Sequence, residues 1–197
     1  MLGARPIANQ RPTPYATGAD FCRIFREDMN RLYLLSFLLT GDQSMAEKCF
    51  VRGLEDAGKG NPVFREWARS WARRTVIQKA IEMIQPKPAN DSPAEAAELV
   101  QAGAEPPELT AIIGLPAFER FAFVMSVLER ISDQECSLLL DCSRSELSAA
   151  RIAALQRIGR SAELRGKGAV TGSGKHLLHS DTGLLQAGGL SQLPASA

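Results

Sequence analysis

Apolar side chains recur at three- and four-residue steps through the first part of the chain, the spacing that gathers them on one face of a helix. From Asp20 to Thr40 the inward set is Phe21, Ile24, Phe25, Leu32, Leu35 and Leu39, and Gly41-Asp42 ends the predicted helix. A second helix is predicted from Gln43 to Ala57, with Met45, Cys49, Phe50 and Leu54 on one side; Gly58-Lys59-Gly60-Asn61-Pro62 breaks it. A third runs from Val63 to Ile84 and turns Phe64, Trp67, Trp71, Val76, Ala80 and Ile84 inward. The chain carries no convincing alternating pattern of the kind a strand needs.

From Gln85 to Leu109 the pattern stops, and Pro86, Pro88, Pro93, Pro106 and Pro107 appear among Ala and Glu, with five acidic residues against Lys87. Such a stretch reads as a solvated linker, with room for one helical turn at Ala94 to Gln101. Beyond it, Leu115-Pro116 opens a helix ending near Arg130, with Phe118, Phe121, Ala122, Met125, Val127 and Leu128 along it. Ser132-Asp133-Gln134-Glu135 and Ser143-Arg144-Ser145-Glu146 are two capping boxes, each pairing an N-cap hydroxyl with a carboxylate three residues on. They predict two helices separated by Asp141-Cys142, with Leu138, Leu139, Leu147, Ala154 and Ile158 inward: a helix-turn-helix. The expected organisation is all-α: a disordered arm over 1–18, a helical domain over 19–85, a flexible acidic linker over 86–109, a helix-turn-helix domain over 110–160 and a disordered tail over 161–197.

Composition sets limits on function. The 197 residues are 45% hydrophobic and 23% charged, the balance of a globular protein, and the net charge of +1 excludes binding of polyanions by bulk charge. That figure is a cancellation. Asn61 to Gln85 holds five basic residues against two acidic ones, and Arg144 to Lys167 holds six against two, so two basic helical blocks flank the acidic linker. Arg65, Arg69 and Arg73 step by four along one helix face, a row suited to successive phosphates, with Trp67 and Trp71 roughly opposite. The Leu32 to Leu39 run is far too short to span a bilayer, and the N-terminal residues lack an apolar signal region, so no membrane association and a cytoplasmic location are expected. The scattered Cys22, Cys49, Cys136 and Cys142 read as reduced thiols.

Several features carry no chemistry on this reading. Gly172-Ser173-Gly174-Lys175 lacks the first glycine and final hydroxyl of a phosphate loop; His176 and His179 lack further metal ligands; Glu27/Asp28 and Asp133/Glu135 read as surface and helix-start charges. With no assembled nucleophile or acid-base set, a binding protein is expected, not an enzyme, and with no cofactor, metal or small-molecule substrate.

Over 20–84 and 115–160 the chain resembles a bacterial RNA polymerase sigma factor of the extracytoplasmic-function type. The resemblance rests on the leucine run before Thr40-Gly41-Asp42, on Ala46-Glu47, and on Phe64-Arg65-Glu66-Trp67 leading to Ala72-Arg73-Arg74. In the second half it rests on Leu115-Pro116, Phe123-Val124, Val127-Leu128-Glu129 and Ile131-Ser132-Asp133-Gln134-Glu135. It implies RNA polymerase core and promoter DNA as partners, and allows an anti-sigma factor. Carried over, Arg65, Trp67, Arg69, Arg73 and Arg74 would face the −10 element, while Arg144, Ser145, Ser148 and Arg151 would read the −35 element. Glu47, Lys48, Val51 and Arg52 would contact polymerase. The chain departs from the family where Lys48-Cys49-Phe50-Val51-Arg52 replaces an acidic patch, where Glu146, Ser148 and Ala150 replace polar and basic readers, and where Asp141 replaces the turn glycine. These departures keep a second expectation open: a sigma-like helical protein that binds a protein partner without promoter recognition.

Overall fold

A computed structural model describes residues 13–59, 62–88 and 107–171, with backbone alone at 107 and 164–171. The expected arm up to residue 12, most of the linker (89–106, with its predicted helical turn) and the tail from residue 172, with the glycine-rich loop and both histidines, lie outside the described residues. Among the described residues there are eight α-helices and no β-strand: α1 Gly18–Glu27, α2 Met29–Thr40, α3 Gln43–Lys59, α4 Ala68–Ile84, α5 Pro107–Ile113, α6 Ala117–Phe123, α7 Asp133–Leu140 and α8 Arg144–Thr171. The all-α expectation holds.

The first four helices pack around Phe21, Ile24, Phe25, Leu32, Leu35, Leu39, Cys49, Val76 and Ile77, all buried. The single helix expected over 20–40 is interrupted at Asp28, whose backbone (φ −101°, ψ 19°) leaves the helical range. The break spans one residue, because Asp28 N–H still reaches the Ile24 carbonyl and Leu32 N–H the Asp28 carbonyl. Gly41 ends α2 in the left-handed conformation (φ 72°), and Asp42 then caps α3, its Oδ1 accepting from Met45 N–H at 2.7 Å. Helices α3 and α4 approach closely because Gly53 has no side chain: a Cβ there would meet Val76 Cγ2 at 3.0 Å.

Before α4, residues 65–67 form one 3₁₀ turn, so the third predicted helix begins as a tighter coil. The last residues of the expected disordered arm are held against this turn, Ala16 N–H donating to Val63 O (2.7 Å) and Arg65 N–H to Pro14 O (3.0 Å). Thr17 and Asp20 then form a capping box that starts α1.

In the second segment α6 passes into a π-helical turn, Val124–Leu128, and the chain leaves it through Arg130 at φ 56°. Here Phe121, Ala122, Val124, Met125, Cys136 and Leu147 are buried. The described residues of both segments up to Ala162 group as one compact unit. Arg120, 8% exposed, lies at their junction and donates to the carbonyls of Leu39 (3.3 Å), Thr40 (3.3 Å), Ile113 (3.0 Å) and Leu115 (3.1 Å). A cation at the C-terminus of α2 meets the negative end of that helix. Gly41 leaves space for it, since a Cβ there would lie 3.2 Å from the Arg120 guanidinium carbon.

Candidate nucleic-acid interface

The arginine row lies where the 3₁₀ turn feeds α4. In the sequence it reads as a bare basic stripe; in the structure each member meets acid. Arg65 lies 3.5 Å from Asp20. Arg69 binds both Asp28 and Glu27, and these carboxylates raise its pKa further, the hydrogen bond to Asp28 most. Arg73 is 3.7 Å from Glu129, and Arg74 pairs with Glu135. The first two arginines are therefore neutralised from α1 and the residue that ends it, and the last two from the second segment.

Trp67, expected inward, is instead 59% exposed. The 3₁₀ turn shifts its register, so it follows the turn and not the α4 core face. Phe64, also expected inward, is exposed and stacks between two rings, Tyr15 at 4.9 Å and Trp67 edge-on at 5.4 Å. Tyr15, which no sequence pattern singled out, thus belongs to the same aromatic surface. Its only sequence signal is a lone tyrosine in a proline-rich arm. Trp71 is half-buried, and its Nε1 is buried without a hydrogen-bond partner among the described residues.

A cleft of about 510 Å³ opens beside these residues, lined by Trp67, Trp71, Arg73 and Arg74 on one side and by Glu129 and Glu135 on the other. Flat aromatic faces next to guanidinium groups match the demands of unstacked bases and their phosphates. The carboxylates across the cleft oppose such a ligand.

In the second half, Asp141-Cys142-Ser143 separates α7 from α8. Asp141 takes the left-handed conformation (φ 49°) that glycine adopts more often, and the N–H groups of Asp141 and Cys142 both reach the Ser137 carbonyl, closing α7. The capping box at Ser143 is complete: Glu146 N–H donates to Ser143 Oγ (3.2 Å), and Ser143 N–H donates back to Glu146 Oε2 (2.8 Å). The box expected at Ser132 is only half made. Ser132 Oγ accepts from Glu135 N–H at 3.2 Å, but the Glu135 carboxylate has turned to Arg74. Leu138, expected inward, is 76% exposed, because α7 is short and only Cys136 and Leu140 on it are buried.

Of the residues assigned to the −35 element, Arg144 and Ser145 are exposed at the start of α8, with Ser145 Oγ 2.9 Å from Ser143 Oγ. Ser148 is half-buried, and Arg151 grips Asp133 through two bonds of 2.7 and 3.3 Å. The four do not form one free basic face. Glu47, Lys48, Val51 and Arg52 lie together on the outer side of α3, all exposed, Val51 by 51%, while Cys49 and Gly53 beside them face the core. Among the described residues no cluster of metal-ligating side chains occurs, and no helix is long and apolar enough to cross a membrane.

No family model matches the chain, and no curated protein matches it significantly.

Proposed function

We propose that this chain is a sigma-factor-like transcription initiation protein that binds RNA polymerase core and promoter DNA. Its first segment would engage the −10 element through the start of α4, and α8 would approach the −35 element in the major groove. The observation that carries the reading is the cleft at the start of α4, where Trp67 and Trp71 stand beside Arg73 and Arg74. Stacking surfaces and cations in one groove suit single-stranded DNA better than a small apolar ligand or a catalytic reaction. The helix, turn and helix of α7 and α8 adds a second element of the right kind. The exposed Lys48, Val51 and Arg52 on α3 offer a surface for polymerase.

A reconstituted assay tests it. The native protein should co-purify with polymerase core and direct it to a promoter fragment. Arg73→Ala with Arg74→Ala should weaken that binding and flatten its salt dependence by about two in the log-log slope, one for each phosphate left without its arginine. Unchanged binding and slope would remove α4 from the reading.

A second reading draws on different residues. Leu138 on α7, with Ile152 and Leu155 on α8, is exposed, and Arg151 is already engaged by Asp133. An apolar surface where a DNA reader should be basic favours a helical protein partner. Co-purification without polymerase subunits would select this alternative.

A further inference from the structure

Just before α1 the chain is clamped at one point. Ala16 N–H donates to the Val63 carbonyl (2.7 Å) and Arg65 N–H to the Pro14 carbonyl (3.0 Å), so Tyr15 and Phe64 face each other across a single antiparallel bridge. The two bonds flank this pair and use none of its own backbone groups, the arrangement in which antiparallel side chains approach most closely. Pro14 has no N–H to give, and the clamp asks only for its carbonyl. The rings meet accordingly, with centroids 4.9 Å apart and planes 32° from parallel. Phe64 in turn meets Trp67 edge-on at 5.4 Å. Three rings thus form a row that begins in the arm and ends on the 3₁₀ turn.

Burial does not account for this row. Tyr15 is 40% exposed, and Phe64 and Trp67 are exposed with it, so the clamp holds an aromatic side chain at the surface without covering it. The charge around the row selects the ligand. Arg65 lies between Phe64 and Trp67 in the turn with its side chain half-exposed, and Arg5 and Arg11 are the only charged side chains among residues 1–19. Flat faces beside guanidinium groups favour a nucleic acid, with bases to stack and phosphates to pair, over an apolar protein partner.

We propose that Tyr15 is a base-stacking residue: the clamp presents its ring as an outward extension of the Phe64 and Trp67 surface, where it takes one unpaired base. The proposal rests on the reading of the start of α4 as a DNA-binding surface, and adds to it a side chain carried outside that helix. Every base has a π face, so Tyr15 contributes affinity for unpaired strands and little sequence preference. A duplex keeps its bases stacked on one another and offers the ring nothing.

The experiment measures binding of a fluorescent single-stranded oligonucleotide to the full chain at low salt. An oligonucleotide of the same length with abasic sites, which keeps the phosphates and lacks the bases, is measured beside it. Tyr15→Leu keeps an apolar side chain against Phe64 and removes the flat face; Tyr15→Phe keeps the face. Circular dichroism confirms that each variant is folded. Tyr15→Leu should weaken binding of the normal strand about fivefold, the lower end of what one stacked base contributes, and leave binding of the abasic strand unchanged. Tyr15→Phe should bind both as the wild type does. Equal weakening on the two strands would mean that Tyr15 acts through the fold and not on a base, and would overturn the proposal. Unchanged binding by Tyr15→Leu, with binding still lost on Arg73→Ala/Arg74→Ala, would overturn it too and leave the DNA reading standing. Absence of binding by every form of the protein would overturn the DNA reading and the role of Tyr15 with it.

Discussion

The four helices of residues 18–84 and the helices that follow residue 107 solve the same packing problem with different means. The first segment has two long helices, α3 and α4, pressed together over Gly53. The second has three helices of eight residues or fewer, α5 to α7, and only α8 is long. Short helices are marginal alone, since few internal bonds offset the cost of starting each one. The second segment therefore leans on its neighbour, through Arg120 at one joint and through Glu129 and Glu135 at another. Autonomy and availability to a ligand are thus separate properties. On this reasoning the first segment, which carries the candidate site, should be the more stable of the two.

The sharpest way to break this asymmetry is to damage each core separately. Leu39 and Phe121 are both fully buried, at 0% exposure. Leu39→Ala and Phe121→Ala should each cost about 3–5 kcal/mol by transfer and cavity formation. The outcomes should differ: Leu39→Ala unfolds both segments, whereas Phe121→Ala unfolds α5 to α7 and leaves α1 to α4 helical. Two native thiols report on this. Cys49 and Cys136 are each 0% exposed, and burial pushes both thiols up to about 11, so neither reacts until its segment opens. In Phe121→Ala a thiol reagent should label Cys136 quickly and Cys49 slowly. Equal labelling would mean that the chain opens as one unit.

The helices were largely legible in the sequence, and their partners were not. Periodicity placed α2, α3 and α4, and Gly41-Asp42 marked a true stop because glycine alone combines the left-handed turn with room for Arg120. The Ser143 box was legible because all of its atoms lie within four residues. The break at Asp28 was not, since the i to i−4 bonds continue on both sides of it and no glycine or proline marks it. The arginine row shows the same limit. Its members stand out as a basic series, but their acid partners lie 41 to 61 residues away at Asp28, Glu27 and Glu135, beyond any local pattern. Arg120 likewise reads as an ordinary helix arginine until the fold places four carbonyls around it.

Arg120 supports the next test. Arg120→Met keeps most of the stem volume but leaves the Leu39, Thr40, Ile113 and Leu115 carbonyls without its donors, at a cost of about 3 kcal/mol. The loss should fall on the joint and not on either core. Denaturant melts followed by Cys49 and Cys136 labelling should then separate into two transitions where the wild type shows closer coupling. A single transition of reduced midpoint would show that the segments stay coupled without Arg120.

The smallest expected effect compares one device used in both halves. Thr17 with Asp20 starts α1, and Ser143 with Glu146 starts α8, each through a reciprocal cap. In both, the N-cap residue holds the carboxyl below its ordinary value, 3.8 for Asp20 and 4.5 for Glu146. The Thr17 backbone N–H contributes most at Asp20, and the Ser143 hydroxyl most at Glu146. A carboxyl whose folded pKa is depressed stabilises the fold above its unfolded value and loses that stabilisation as pH falls through the lower folded one. Both helix starts should therefore weaken below about pH 4 and remain unaffected near neutrality. Thr17→Ala and Ser143→Ala should each cost about 1 kcal/mol at pH 7, and each should flatten the acid limb of its own segment's unfolding curve. Asp20 also faces Arg65 and Arg23, so the α1 cap should persist to lower pH than the α8 cap. Backbone amide exchange at the first turn of each helix, followed from about pH 5 to about pH 3 across the ordinary carboxyl range, would show that order or reverse it.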